Sequence, residues 1–316
     1  MPLNEKALIA AVRKQQRLRP GVIAGIGDDC AILRISKSHE MLVTTDFSLE
    51  GIHFRREWHP PEVVGHRCLA RGLSDIGAMG GRPVAAFLSL ALPRNLPQTW
   101  VDRFWKGLLE LARVASVSLA GGDTAESPRG VLADIVVIGS APKGTAIRRS
   151  GARPGDRIYV TGELGGSAAA LELLFSGRKL HPADFPKHFR PMPRIEVGEF
   201  LREKKLASSM IDISDGLSTD LSHICEESGV GAEIYAHALP RATIGKLAQQ
   251  VDLKFALHGG DDYELLFTSP RGKRVPAKIV GVPITQIGHI TRHKHVILMN
   301  DQGVELKPQG WQHFQS

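Results

Sequence analysis

The chain has 316 residues, 42% hydrophobic and 23% charged, a composition that excludes a disordered or low-complexity architecture and leaves room for two domains with substantial cores. Its formal charge of +7, from 40 Lys and Arg against 33 Asp and Glu, admits nucleic acid, an anionic membrane surface or phosphorylated small molecules as partners. The basic residues are scattered (Arg55-Arg56, Arg148-Arg149, Lys204-Lys205) with no interleaved aromatics, which argues against nucleic acid.

In chain order, Leu3 to Gln16 places Leu8, Ile9 and Val12 at helical spacing, with no secretory signal. The turn Gly25-Ile-Gly-Asp28-Asp29 sets two adjacent carboxylates between apolar runs. Met41 to Thr45 reads as a strand ending at Asp46. Pro60-Pro61 opens a helix running to about Met79, which puts Asp75 near the helix C-terminus, an unfavourable place for an anion without a cation partner. Val84 to Leu92 reads as a buried strand; it is the longest apolar run, far short of the roughly 20 residues of a membrane helix. Gln98 to Val117 reads as an amphipathic helix whose Trp100 and Trp105 sit at core spacing. Ser118 to Asp123 reads as a short strand entering a Gly-Gly turn, and Val131 to Ala141 as a further strand. Lys143 to Asp156, rich in Gly, Arg and Pro, is the clearest composition shift, so domains are expected at 1–145 and 146–316.

The second half opens with a strand at Arg157 to Thr161, then the turn Gly162 to Ser167 and a helix over Ala168 to Phe175. A glycine turn at a helix start can hold phosphate, but this one lacks the three-glycine dinucleotide spacing. His181 to Pro193 reads as a loop. Helices are expected over Arg194 to Lys204, Leu217 to Glu227 and around Thr243 to Gln250. Strands are expected over Ser208 to Ile213, Ala232 to Tyr235 and Tyr263 to Thr268, with more in the tail from Ile279 to Gln315. This alternation is the α/β or α+β signature.

The acids that end apolar runs carry the chemistry: Asp29, Asp46, Asp75, Asp123, Asp212, Asp215 and the Gly259-Gly260-Asp261-Asp262 repeat of the opening theme. Many Asp residues without clustered His or Cys suit a hard cation such as Mg²⁺ with a nucleotide. Cys30, Cys68 and Cys225 form neither a disulfide framework nor a zinc ribbon, which fits a reducing cytosol. No Gly-x4-Gly-Lys-Ser/Thr loop, protein-kinase catalytic loop or Gly-x-Ser-x-Gly elbow occurs, so a covalent enzyme is not favoured.

Seven motifs in order resemble the thiamine-monophosphate kinase family, within the superfamily of aminoimidazole ribonucleotide synthetase and selenophosphate synthetase. They are Gly25 to Ala31, Thr44-Thr-Asp-Phe-Ser-Leu-Glu-Gly-Ile-His-Phe54, Leu73-Ser-Asp-Ile-Gly-Ala-Met79, Gly121-Gly-Asp-Thr124, Arg149 to Asp156, Ile211-Asp-Ile-Ser-Asp-Gly216 and Gly259-Gly-Asp-Asp-Tyr-Glu264. The resemblance implies an α/β (α+β) fold of two domains, an N-terminal mixed sheet with helices that pairs into a homodimer, and a C-terminal α/β domain that completes the site. It implies a cytoplasmic enzyme converting thiamine monophosphate to thiamine diphosphate with ATP and several Mg²⁺ ions, without nucleic acid or membrane. Carried over by motif, Asp29, Thr44, Thr45, Asp46, Asp75, Asp123, Asp212 and Asp215 are the expected metal set. Gly122, Asp123, Arg149 and Ser214 are the expected ATP contacts, and His53, Asp261 and Trp311 the expected contacts to the thiamine substrate; Asp28 supports its neighbour. Three positions depart from the family pattern: Arg71-Gly72 before Leu-Ser-Asp, Ala125-Glu126 after Gly-Gly-Asp-Thr, and Asp261 where Glu is usual. The alternatives are another ATP-dependent enzyme of the superfamily, or a non-catalytic basic binding protein, which would leave the ordered acids without a purpose.

Overall fold

The computed structural model describes residues 22–24, 27–34, 36–300 and 302–311, so the expected helix at Leu3 to Gln16, Gly25, Ile26 and the last five residues lie outside the described residues. A first sheet holds six strands in the order β1-β2-β3-β6-β4-β5: β1 (Val22–Ala24), β2 (Ala31–Arg34), β3 (His39–Leu49), β4 (Arg82–Pro93), β5 (Ser118–Ser127) and β6 (Leu132–Pro142). Helix α1 (Pro61–Ala78) follows β3, and α2 (Gln98–Val114) crosses from β4 to β5, the one parallel pair in this sheet. Both helices cover one sheet face. Leu69, Leu73 and Ile76 of α1 and Phe104 and Leu108 of α2 are buried against Leu42, Leu88, Ile135 and Val137. Truncating one such leucine to alanine costs about 2–5 kcal/mol. As the spacing predicts, Trp100 and Trp105 pack on Phe104.

The second sheet runs β16-β15-β9-β14-β7-β12-β8, with β13 paired to β14. Its strands are β7 (Arg157–Thr161), β8 (Ser209–Asp212), β9 (Gly231–Tyr235), β12 (Leu265–Ser269), β13 (Lys278–Ile279), β14 (Val282–Thr291), β15 (Val296–Met299) and β16 (Val304–Glu305). Around it lie α3 (Gly166–Phe175), the short α4 (Pro186–Phe189), α5 (Ile195–Glu203), α6 (Leu217–Ser228) and α7 (Leu253–His258). Apolar clusters flank the sheet, one built with Leu217, Leu221 and Ile224 of α6 and another with Val197 and Leu201 of α5.

Two local expectations are corrected, and a third point is decided. Thr243 to Gln250 is a hairpin of β10 (Thr243–Ile244) and β11 (Gln249–Gln250), and Leu247, which the helical spacing would bury, is 92% exposed at its tip. Gly121-Gly122-Asp123 is no turn: β5 continues through it, because β4 offers a parallel partner from Ser118 to Ser127. At Gly122 a Cβ would lie 1.9 Å from the Leu88 carbonyl oxygen, so the close strand approach requires glycine. Finally, the Gly162 to Ser167 turn is not open to phosphate. Asp262 accepts from the backbone N–H of Gly165 at 2.6 Å and of Ser167 at 3.4 Å, filling it from within.

The two sheet units meet along α1. A Cβ at Gly198 of α5 would fall 2.0 Å from the Gly77 carbonyl oxygen, so paired glycines let these helices touch backbone to backbone. Polar contacts extend the seam: His66 bonds the Pro191 carbonyl at 2.8 Å, Arg202 donates to the Gly80 carbonyl at 2.6 Å, and His59 and His188 share a bond of 3.0 Å. Burial pushes the His59 imidazole down to about 4, so the pair is neutral and can share one proton between ring nitrogens.

Candidate active site

The seam is where the acids converge. Carboxylate oxygens of Asp29, Asp75 and Asp212 lie within 4.8 Å of one another, brought from the turn before β2, the last turn of α1 and the end of β8. Each is held by a donor, which on Asp75 and Asp212 takes a single oxygen. Thr44 donates its hydroxyl to Asp75, Ser74 donates to Asp212 at 2.5 Å, and Arg149 forks onto Asp29 with bonds of 3.1 and 3.2 Å. Asp28 takes a separate part, accepting the Arg149 backbone N–H at 2.7 Å and so docking the arginine that holds its neighbour.

The electrostatics are those of a cluster short of positive charge. Loss of hydration, then repulsion from Asp46, Asp212 and Asp29, drives the Asp75 carboxyl well above its ordinary range. Asp212 is driven the same way by burial and by Asp29. Asp46 follows, raised by burial, and its carboxyl lies against Asp75 closely enough to share a hydrogen bond. Cys30 in the same place stays a thiol, because burial and the surrounding carboxylates push its ionisation upward. It is no nucleophile.

The other expected residues are distributed as follows. Along β3 side chains alternate, so Thr44 and Asp46 face the cluster while Thr45 faces the other way and donates to Asp134 at 2.7 Å. Asp123 pairs in register with Ser89, which pairs with Asp134, so Thr45, Asp134 and Asp123 share the sheet face away from the helices. Asp123 and Gly122 are exposed there on the edge strand β5. Asp215 belongs to a second group with Asp220 and His223. Asp220 is buried at the start of α6 and accepts from Gly216 at 3.0 Å and Asp215 at 3.3 Å. Ser214 joins two motifs through its carbonyl, which accepts the Asp261 N–H at 2.8 Å.

Among the expected substrate contacts, His53 uses Nδ1 to accept the Leu49 N–H at 3.0 Å, which places a ring proton on Nε2. Trp311 donates its backbone N–H to the Asp215 carbonyl at 3.2 Å, so the tail runs beside the second acidic group. Asp261 sits at φ 60°. Against the cost of burial, Arg67 and Arg71, then the Tyr263 hydroxyl, hold its carboxyl below the usual range; Arg67 contacts it at 2.7 Å and Tyr263 at 2.6 Å. Sequence reasoning passed over Arg67, Asp134, Asp220, His223 and Tyr263. Arg67 carried a usable signal: it lies two helical turns before Asp75, on the same face of α1.

Residues 27–141 match the family described as AIR synthase related protein, N-terminal domain, and residues 153–299 its C-terminal domain. The thiamine-monophosphate kinase of Escherichia coli strain K12 is 38% identical over 332 residues, covering 99% of both chains. That of Bacillus subtilis is 33% identical, covering 99% of this chain and 100% of its own. The chain belongs to the thiamine-monophosphate kinase family. A solved thiamine-monophosphate kinase structure from Aquifex aeolicus superposes at a TM-score of 0.82 with 32% identity, covering 98% of this chain and all of its own. A further structure, described as AaThiL complexed with AMPPCP and TMP, superposes at 0.88 with 33% identity and 99% coverage of both chains. The family's two-domain α/β fold is the fold seen here. Among the described residues no helix is long and apolar enough to cross a membrane.

Proposed function

We propose that this chain transfers the terminal phosphoryl group of ATP directly to the phosphate of thiamine monophosphate, giving thiamine diphosphate and ADP. The observation that carries the reading is the convergence of Asp29, Asp75 and Asp212, three carboxylates to which, among the described residues, a single cation, Arg149 on Asp29, is bonded. An all-oxygen, hard, anionic donor set fits Mg²⁺, with Asp46 and Thr44 beside it, and Asp215 with Asp220 as a further position. Bound Mg²⁺ supplies the positive charge that offsets repulsion between two polyanions and stabilises charge on the transferring group.

The chain's own residues account for the rest. The acceptor oxygen is already anionic, so its attack on the terminal phosphorus forms the new P–O bond and breaks the bond to the bridging oxygen, which leaves with ADP. No proton need move and no protein nucleophile is required. Arg149, docked by Asp28 and forked onto Asp29, brings a permanent cation beside the cluster for the nucleotide phosphates. Gly122, Asp123 and Ser214 are assigned to the nucleotide as well, Gly122 and Asp123 from an open strand edge, with Thr45 beside Asp134 on the same sheet face. His53, Asp261 and Trp311 are assigned to the thiamine end. We assign the Mg²⁺- and ATP-binding and dimer-forming role to residues 1–145, completion of the site to 146–316, and the working form to a cytoplasmic homodimer.

The test is incubation of purified protein with ATP, Mg²⁺ and thiamine monophosphate. Thiamine diphosphate and ADP are expected in equal amounts; none from well-folded protein refutes the reading.

A further inference from the structure

Three side chains on α1 follow one another at single-turn intervals on one face: Arg67, Arg71 and Asp75. At a rise of 1.5 Å per residue they span about 12 Å along the helix. The first and last have partners. Arg67 is tied to Asp261 and to the His188 carbonyl, and Asp75 belongs to the carboxylate cluster. Arg71, between them, does not. Its Nε is out of solvent and has no hydrogen-bond partner, and among the described residues it enters no ion pair. Its charge is felt by Tyr263 and Asp261 on one side and by Asp46 on the other. A guanidinium nitrogen withdrawn from water with its donor unused is costly to keep, and the Nε of Arg149 shows the alternative, since it donates to Asp29.

Along α1, Arg71 stands between Arg67, which holds the residue assigned to the thiamine end, Asp261, and Asp75 of the carboxylates assigned to the metal. On the kinase reading, an acceptor that reaches from one to the other runs past Arg71.

We propose that Arg71 binds the phosphate of the acceptor, a phosphate monoester, and sets the enzyme's preference for the phosphorylated over the unphosphorylated form of the substrate. This rests on the kinase reading above and adds to it a residue that none of the seven motifs assigns a role. Arg71 complements Arg149: one cation for the acceptor phosphate, the other for the donor.

The experiment compares full-length wild type, Arg71→Met and Arg71→Lys. Equilibrium binding of thiamine monophosphate and of thiamine is measured separately with Mg²⁺ and without ATP, alongside KM for both kinase substrates. Methionine fills similar space and no hydrogen bond to Nε is lost, so the fold should survive. Arg71→Met is expected to weaken thiamine monophosphate binding at least about tenfold, as loss of a charged phosphate contact does, with thiamine binding and KM for ATP within about twofold. Arg71→Lys, which keeps the charge and loses the fork, should fall between, and its binding ratio decides the matter if the methionine variant misfolds. Equal losses for both ligands, or none, would overturn the inference. A wild type that makes no thiamine diphosphate would instead overturn the kinase reading.

Discussion

Asp212 and Glu264 are near neighbours: Asp212 ends β8 opposite Leu265, and Glu264 is the next residue along, its side chain on the other face of the sheet. Both are buried, and their environments are opposite. Glu264 is saturated by Arg194, which forks onto it at 2.6 Å through two nitrogens, by Lys187 at 3.2 Å and by the Thr161 hydroxyl at 2.6 Å. Burial acts to raise its carboxyl, but Arg194 and Lys187 outweigh it and hold the group below its ordinary range. Asp212 receives one hydroxyl from Ser74 and faces two more carboxylates, and its carboxyl is driven up. A buried acid surrounded by cations has its charge balanced by the fold; one surrounded by acids leaves that charge for a ligand. On the proposed reading, the distinction separates a structural carboxylate from a working one where sequence position cannot.

The largest expected effect breaks the working side alone. Asp75→Asn and Asp212→Asn keep an oxygen to accept from Thr44 or Ser74 and remove one charge from the cluster. Turnover should fall at least about 10³-fold, since metal-borne stabilisation is worth several kcal/mol. Thermal unfolding without metal should stay at or above the wild-type temperature, because repulsion has been relieved. Asp46→Asn should behave alike. A cooperative loss of fold would mean these acids are structural.

Glu264→Gln should do the reverse. It strands Arg194 and Lys187 without their counter-ion, at a cost of about 3–5 kcal/mol in denaturant unfolding. KM values of the protein that still folds should be little changed. The two sides should also separate by pH. Asp75 and Asp212 have folded values above the 3.8 of free aspartate, so their contribution is fully present below that value and is lost as pH rises through the folded ones. Asp262, pushed up to about 7 by burial, has the same sign. Glu264 lies below the ordinary 4.5, so its contribution is present above 4.5 and is lost as pH falls through the folded value. In metal-free protein the contributions of Asp75, Asp212 and Asp262 should therefore grow as pH falls toward about 5, opposed by buried His59, and that of Glu264 should be lost below about pH 4; the melting-temperature difference between wild type and Asp212→Asn isolates the cluster. Mg²⁺ bound at the cluster as proposed would compete with protons for the same oxygens, so the rise it gives should be larger at about pH 8 than at about pH 5. Equal Mg²⁺ shifts at both would uncouple the cluster from the metal.

Much of this was legible because an acid that ends an apolar run is placed by the core it follows. Asp212 ends the buried β8, Asp75 lies in the last turn of the buried α1 and Asp29 immediately precedes buried Cys30 and β2, and buried segments of one protein meet. What sequence reasoning could not supply were partners from distant chain. Glu264 and Asp212 carry the same local signal, and only the arrival of Arg194 and Lys187 distinguishes them. The occupant of the Gly162 turn, Asp262, lies about a hundred residues away, and a partner strand elsewhere in the chain straightens Gly121-Gly122-Asp123 into β5. Thr243 to Gln250 failed for a local reason: the positive φ angles of Gly245 (70°) and Ala248 (48°) close a hairpin that apolar spacing does not register.

The smallest effect is expected at Trp311, and it tests how far the working region extends. The tail reaches the site through its backbone: Gly310 donates to the Thr219 hydroxyl at 3.0 Å and Trp311 to the Asp215 carbonyl at 3.2 Å. These bonds survive Trp311→Ala, so the fold and the second acidic group should be undisturbed. The indole is 54% exposed, a position from which it can stack on a cationic thiazolium ring for about 0.5–2 kcal/mol. That is about a two- to thirtyfold rise in KM for thiamine monophosphate at constant kcat and constant KM for ATP, with Trp311→Phe restoring most of the loss. A fall in kcat instead would place Trp311 with the acids, as a support for Asp215, and would move the boundary of the catalytic region out to the C-terminal segment.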